Sequence, residues 1–276
     1  MAGVNVKWTR RAALAGLVAV LAGCGKTVGS NGPGAHVGTL QDVENMVDTC
    51  YIRGALAPPN ADVSASLLAT MDVDGVMGAA AVFVSGAAFP SAGTVSVRAN
   101  LPGGPADVTL YQVSTGYQGS TAYAYTSRLN HPLGLDLTFD GTAYHRFTAT
   151  GSADFPAFVD SVKSVRPPAV TSPADGGTHA RSADLVVLWS DVGTDSTVYV
   201  TGTLVSGSDT TKVAVSTLTR DTNASALIPA SRLAALPLGS ATLTLARYRL
   251  TYHTEGTTHK TGLACEAAVR RTVVLD

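Results

Sequence analysis

Along most of the chain, apolar and polar residues alternate with a period of two, the spacing of side chains on the two faces of a β-strand. Leu133, Leu135, Leu137 and Phe139 alternate with Gly134, Asp136 and Thr138. After Asp140-Gly141, Ala143, His145 and Phe147 alternate with Tyr144, Arg146 and Thr148. Asp-Gly between alternating runs predicts a hairpin, because both central residues of a type I′ turn need positive φ. Further strands are predicted over 80–84, 94–98, 107–113 and 158–165, punctuated by Ser85-Gly86, Ala92-Gly93 and Pro102-Gly103-Gly104-Pro105. No long helical pattern separates them, so a sandwich or barrel is expected rather than an α/β fold.

The segment 166–177 carries Pro167, Pro168, Pro173 and the pair Gly176-Gly177, and reads as a domain boundary. After it, Leu185, Val187 and Trp189 share one face of a dense apolar strand. A Pro-rich lead-in, a Gly-rich turn and a strand closing on tryptophan resemble the opening of fibronectin type III and other immunoglobulin-like modules. The resemblance implies that Trp189 fills the space between two sheets. Strands over 198–205, 212–218, 225–228, 241–253 and 260–275 complete the second set. Leu233 and Leu236, at helical spacing behind Ser231, predict one helical turn capped by Ser231. Within 241–253 the apolar phase shifts from Leu243 and Leu245 to Tyr248, Leu250 and Tyr252, which predicts a β-bulge near Ala246 or Arg247.

Composition agrees with a packed body. The chain is 45% hydrophobic and 14% charged, which excludes disorder and coiled coil. A formal charge of -1 supplies no field to gather nucleic acid, so no nucleic-acid partner is expected.

The N-terminus carries a different signal. Lys7, Arg10 and Arg11 precede an apolar run over 12–20 that is well short of the about 20 residues needed to span a bilayer, and Leu21-Ala22-Gly23-Cys24 follows. This tetrapeptide with its flanks resembles the lipobox of bacterial lipoproteins. The resemblance implies cleavage before Cys24, diacylglycerol on its thiol and acylation of the new amino terminus; two or three chains make a stable anchor. Thr9-Arg10-Arg11-Ala12-Ala13-Leu14 partly resembles a twin-arginine export motif but lacks the aromatic expected where Ala13 stands, so either export route stays open. Gly25, not Asp, follows the lipid cysteine, and an outer-membrane or surface destination is expected. Residues 24–40 read as a flexible Gly-rich tether.

Candidate chemistry is sparse. Cys50, alternating with Ile52, and Cys265, alternating with Leu263, Ala267 and Val269, read as two buried thiols or as one long-range disulfide in an oxidising envelope. His253, Glu255 and His259 surround a predicted hairpin tip and form either a metal site or a solvated turn. Asp72-Val73-Asp74-Gly75 begins like a calcium loop, but Phe83 stands at the position of the closing Glu, so a simple turn is expected. There is no Gly-x-Ser-x-Gly motif and no phosphate loop, and no cofactor is implied. Tyr111, Tyr117, Tyr123 and Tyr125 are the one aromatic concentration, suited either to gripping a protein or glycan or to ordinary cross-strand packing.

The whole predicts an all-β protein of two antiparallel β-sandwich domains, the second immunoglobulin-like. Residues 1–23 form a lipoprotein signal peptide, 24–40 the tether, 41–166 the first domain and 167–276 the second. The function expected is a non-catalytic binding or scaffold module held on the bacterial cell envelope through Cys24. An envelope hydrolase acting on glycans and a structural spacer are the alternatives; paired carboxylates in a cleft would favour the hydrolase.

Overall fold

A computed structural model describes residues 65–83, 91–117, 120–127, 131, 133–195, 198–207, 213–255 and 259–276. In chain order the strands are β1 (Ala65–Met71), β2 (Met77–Phe83), β3 (Val95–Leu101), β4 (Gly104–Thr109), β5 (Tyr111–Tyr117), β6 (Ser120–Thr126), β7 (Tyr144–Ala149), β8 (Phe158–Lys163), β9 (Ala169–Ser172), β10 (Gly177–His179), β11 (Leu185–Ser190), β12 (Val198–Ser206), β13 (Val213–Arg220), β14 (Ser225–Ile228), β15 (Gly239–Glu255) and β16 (His259–Leu275). A single helical turn, α1 (Ala230–Leu233), follows β14. The protein is all-β.

The longest sheet runs β13-β12-β15-β16-β1-β2-β6-β5, with β10 pairing the end of β16. Two smaller sheets pack on one of its faces, β4-β3-β7-β8 and β14-β11-β9. The first core lies between the four-stranded sheet and the β16-β1-β2-β6 part of the long one. It holds Leu67, Phe83, Val97, Phe147, Phe155 and Phe158, with Phe155 edge-on to Phe83 at 4.8 Å. The second core lies between the three-stranded sheet and β12-β15-β16, and holds Val187, Trp189, Leu204, Ile228, Leu233 and Leu243. Three strands facing β13-β12-β15-β16 through sheet-crossing connections make an immunoglobulin-like sandwich, and Trp189, 3% exposed, sits inside it.

The two cores share β16, and β12 also reaches both, through Val198 in the first and Val200 and Leu204 in the second. Leu263, Cys265 and Ala267 of β16 belong to the first core, whereas Val273 and Leu275, on the same face, belong to the second. β1 pairs with β16 in parallel, Ala65 opposite Thr261 through Met71 opposite Ala267. The segment 166–177 is not a free linker: it contains β9, Pro168 is buried, and the Arg166 carbonyl accepts from Arg247 Nη1 at 3.2 Å.

Local expectations meet four corrections. The run 133–139 keeps its alternation, with Leu135, Leu137 and Phe139 buried, but is no hairpin arm. It crosses between sheets: Leu135 N donates to Met77 O, and Asn100 N donates to Asp136 O. Gly134 (φ +94) permits the crossing, since a Cβ there would lie 2.8 Å from Met77 O. The single strand expected over 107–113 divides at buried Leu110, β4 staying in the small sheet and β5 joining the long one.

The third correction concerns β15, which has no bulge: its register with β16 is unbroken from Gly239–Leu275 to Glu255–His259. The apolar phase breaks because Arg247 occupies the core face after Leu243 and Leu245, while Ala246 and Tyr248 on the other face are also buried. At α1 the expected turn forms, but Ser231 is not its cap; Asp184 Oδ1 accepts from Ala230 N at 2.8 Å.

Candidate binding surface

The four tyrosines lie on the β5–β6 hairpin at the end of the long sheet. Register places Gln112 opposite Tyr125, Ser114 opposite Tyr123, Tyr111 opposite Thr126 and Tyr117 opposite Ser120. Side chains alternate across a strand, so Tyr123 and Tyr125 share the inner face and Tyr111 stands on the outer one. Tyr125 is 1% exposed, its ring edge-on to Phe83 at 5.6 Å. Its hydroxyl accepts from Ala92 N and Gln112 Nε2, both at 2.9 Å, and pairs with Ser91 Oγ at 3.1 Å. Tyr125 therefore pins the hairpin to the loop before β3 and presents nothing outward. Tyr123 is half-buried against the first core. Tyr111 is 53% exposed. The Tyr117 side chain lies outside the described residues.

The structure thus divides the tyrosines into two inner residues and the exposed Tyr111, and places them on an edge. Among the described residues β5 is hydrogen-bonded to β6 on one side only, and Tyr111, Gln112 and Ser114 along it are exposed. An edge strand presents unpaired backbone N–H and C=O groups, the chemistry that accepts a further strand. Gln112 also donates to Ser91 Oγ at 2.9 Å, so the edge is held by side chains as well as by its ladder.

The other candidates separate. On the β15–β16 hairpin Glu255 is opposite His259 and His253 opposite Thr261, and these three side chains lie outside the described residues. Among the described residues no group of three His, Cys, Asp or Glu side chains is placed to hold a metal ion. Asp72-Val73-Asp74-Gly75 is a turn: Asp72 Oδ1 accepts from Asp74 N at 3.0 Å and Val76 N at 2.9 Å, and Asp74 pairs with Arg270. Cys24 and Cys50 lie outside the described residues. Cys265 is a buried free thiol, pushed up to about 12 by burial.

The most polar buried group is one that alternation hides. Asp221, 2% exposed, accepts from Trp189 Nε1 at 2.9 Å, from Arg247 Nε at 3.0 Å and, on its second oxygen, from Gly193 N at 3.1 Å. Arg247 spends its remaining donors on the Arg166 and Ser190 carbonyls, both at 3.2 Å. Burial pulls the guanidinium down and Asp221 opposes that shift. The only trace in sequence was the broken apolar phase at Arg247. Asp140, in the turn before β7, accepts from Ala143 N and from the backbone and side chain of Thr142, and these bonds hold its carboxyl well below the usual carboxylate range. Both carboxylates are occupied in structural bonds.

No family model matches the chain, and no curated protein matches it. Among solved structures, the FN1–FN3 domains of chicken CNTN1 are similar at 9% identity and a TM-score of 0.20, over 69% of this chain and 60% of that one. This chain therefore spans less than two thirds of that structure's length, and a likeness at that TM-score says nothing further about the molecule.

Proposed function

We propose that the protein is a lipid-anchored cell-envelope module whose sandwiches present the β5 edge as a non-catalytic binding surface for a protein or a glycan. The observation that carries this reading is the edge of β5, which no other described strand than β6 pairs, with Tyr111, Gln112 and Ser114 exposed beside it. Tyr111 offers apolar area with a polar tip, and the adjacent backbone offers strand pairing. Cys24 supplies the membrane attachment through two or three acyl chains, with the Gly-rich tether over 24–40 holding the body off the surface.

Two substitutions and one labelling experiment test it. Ser114→Pro removes a backbone donor from β5, and Tyr111→Ala removes the exposed ring. With a photo-crosslinker at Gln112 in membrane-attached protein, both substitutions should abolish a discrete adduct formed by the parent. No adduct in the parent, or one indifferent to both changes, would remove β5 as the binding edge. Cys24→Ala should release the protein into the aqueous fraction, and mass spectrometry finding Cys24 unacylated in membrane-bound mature protein would end the lipoprotein reading.

A further inference from the structure

The strand at the end of a sheet invites pairing with another chain, and proteins blunt such edges with brevity, charge or proline. In the four-stranded sheet β4 carries Pro105 and Asp107, and β8 carries Asp160 and Lys163. In the three-stranded sheet β14 and β9 are four residues each, with Pro229 after the first and Pro168 and Pro173 around the second. At the far end of the long sheet β13 closes on Arg220, and β10 is three residues. Among the described edges β5 alone has none of these protections. Its seven residues, Tyr111-Gln112-Val113-Ser114-Thr115-Gly116-Tyr117, hold no charge and no proline, and Gln112 and Ser114 along it are exposed.

An edge without charge is one that a like edge can meet, since two such strands bring no like charges together. The order of residues in β5 is also close to self-complementary. An antiparallel pairing about a two-fold axis at Ser114 sets Tyr111 opposite Tyr117, Gln112 opposite Gly116 and Val113 opposite Thr115. Aromatic with aromatic and β-branched with β-branched are pairings that a sheet favours, and Gly116 leaves space beside the long side chain of Gln112. The ladder so formed is as long as the one β5 makes with β6, which runs from Tyr111–Thr126 to Tyr117–Ser120. A glycan suits this edge less well: of the tyrosines whose side chains are described, Tyr111 alone faces outward, so they present no row of rings for sugars to stack on.

We infer that β5 pairs with β5 of a second copy of this chain, antiparallel about Ser114, joining two long sheets edge to edge in a closed two-fold dimer. This inference rests on the reading of β5 as the binding edge and names its partner. Attachment through Cys24 would hold the copies in one plane and raise their effective concentration.

Ser114 meets its own counterpart at the axis, so charge placed there tests the pairing. In membrane-attached protein, the photo-crosslinker at Gln112 should give an adduct of two chains, joined near Gly116. Ser114→Lys alone and Ser114→Asp alone should each lower that adduct by about tenfold or more, because like charges then stand directly opposite each other. Co-expression of the two variants in differently tagged chains should restore it as the mixed dimer, a recovery that damage to the fold of either chain would not show. An adduct with a different protein or with a glycan would overturn self-pairing while leaving β5 as the binding edge, and no adduct at all would remove both. A two-chain adduct indifferent to both single variants, or one that the mixture fails to restore, would overturn pairing about Ser114.

Discussion

Arg247 and Asp221 meet at 3.0 Å with neither side chain more than 3% exposed. The pair joins three parts of the chain, because Arg247 also reaches the Arg166 carbonyl ahead of β9 and the Ser190 carbonyl at the end of β11. It lies where the segment between the two sandwiches passes the long hairpin, and each donor on the guanidinium that faces inward has a carbonyl or carboxylate to meet.

Removing one partner leaves the other charged, buried and unmatched. Arg247→Met or Asp221→Leu alone should cost about 3–5 kcal/mol, whereas the double change, replacing both groups by apolar ones, should cost less than the sum of the two. Urea denaturation of the four proteins checks this, and strictly additive losses would mean the two groups are not coupled.

Trp189 gives a separate handle on the second core. Trp8 lies in the predicted signal segment, so Trp189 reports alone in the mature chain. Its emission should be blue-shifted and poorly quenched by acrylamide, and Trp189→Ala should cost about 3–5 kcal/mol. Trp189→Phe keeps most of the packing and removes one of the two hydrogen bonds to Asp221 Oδ1, leaving the one from Arg247 Nε, and should cost less than the alanine change.

His145 sets a pH dependence. Its ring is buried against Phe139, with centroids 4.8 Å apart, and burial lowers its pKa to about 4 from the ordinary 6.5, with Asp140 opposing in part. As pH falls through 6.5 the unfolded chain takes up a proton that the native imidazole refuses until about 4. Stability from this group is therefore complete above 6.5 and declines between 6.5 and 4, by at most about 3 kcal/mol. Asp140 acts lower on the scale: its lowered carboxyl stabilises above the ordinary 3.8 and loses that effect as pH falls toward its native value. Urea midpoints at pH 7 and 4.5 should differ in the parent and converge in His145→Phe.

The second sandwich should not stand alone as a fragment. A chain of 167–276 would leave Leu263, Cys265 and Ala267 without their first-core neighbours and β16 without its β1 partner. We expect such a fragment to associate or to unfold without cooperativity by light scattering and circular dichroism. A monomeric fragment with a sharp unfolding transition would show that the cores are separable, as the Pro-rich segment suggested.

How much of this was legible in the sequence depends on burial pattern. Strands covered on one face wrote a clean alternation: β11 reads buried and exposed in turn, and Trp189 could be assigned to a core from Leu185 and Val187. β1 was not visible, because a strand paired in parallel and buried on both faces, with Leu67 and Leu68 both inside, shows a continuous apolar run. The run 133–139 shows the opposite failure, since a crossing segment with one buried side alternates as a strand does. Arg247 misled for a third reason: a buried charge with its partner looks polar in sequence, and the partner lies 26 residues away. Of the four tyrosines, the choice between packing and display turned on whether each faced the core, which depends on register at Gln112 and Tyr125.

The sharing of β16 also orders events in time. Ala65 finds its partner at Thr261, so the first sandwich cannot close until nearly the whole chain exists. Contacts of such sequence separation are slow to form, because the loop between them must be closed before they return anything. During synthesis the N-terminal half waits as an incomplete layer with its apolar face open, and the arrival of the last strand completes both cores in one step.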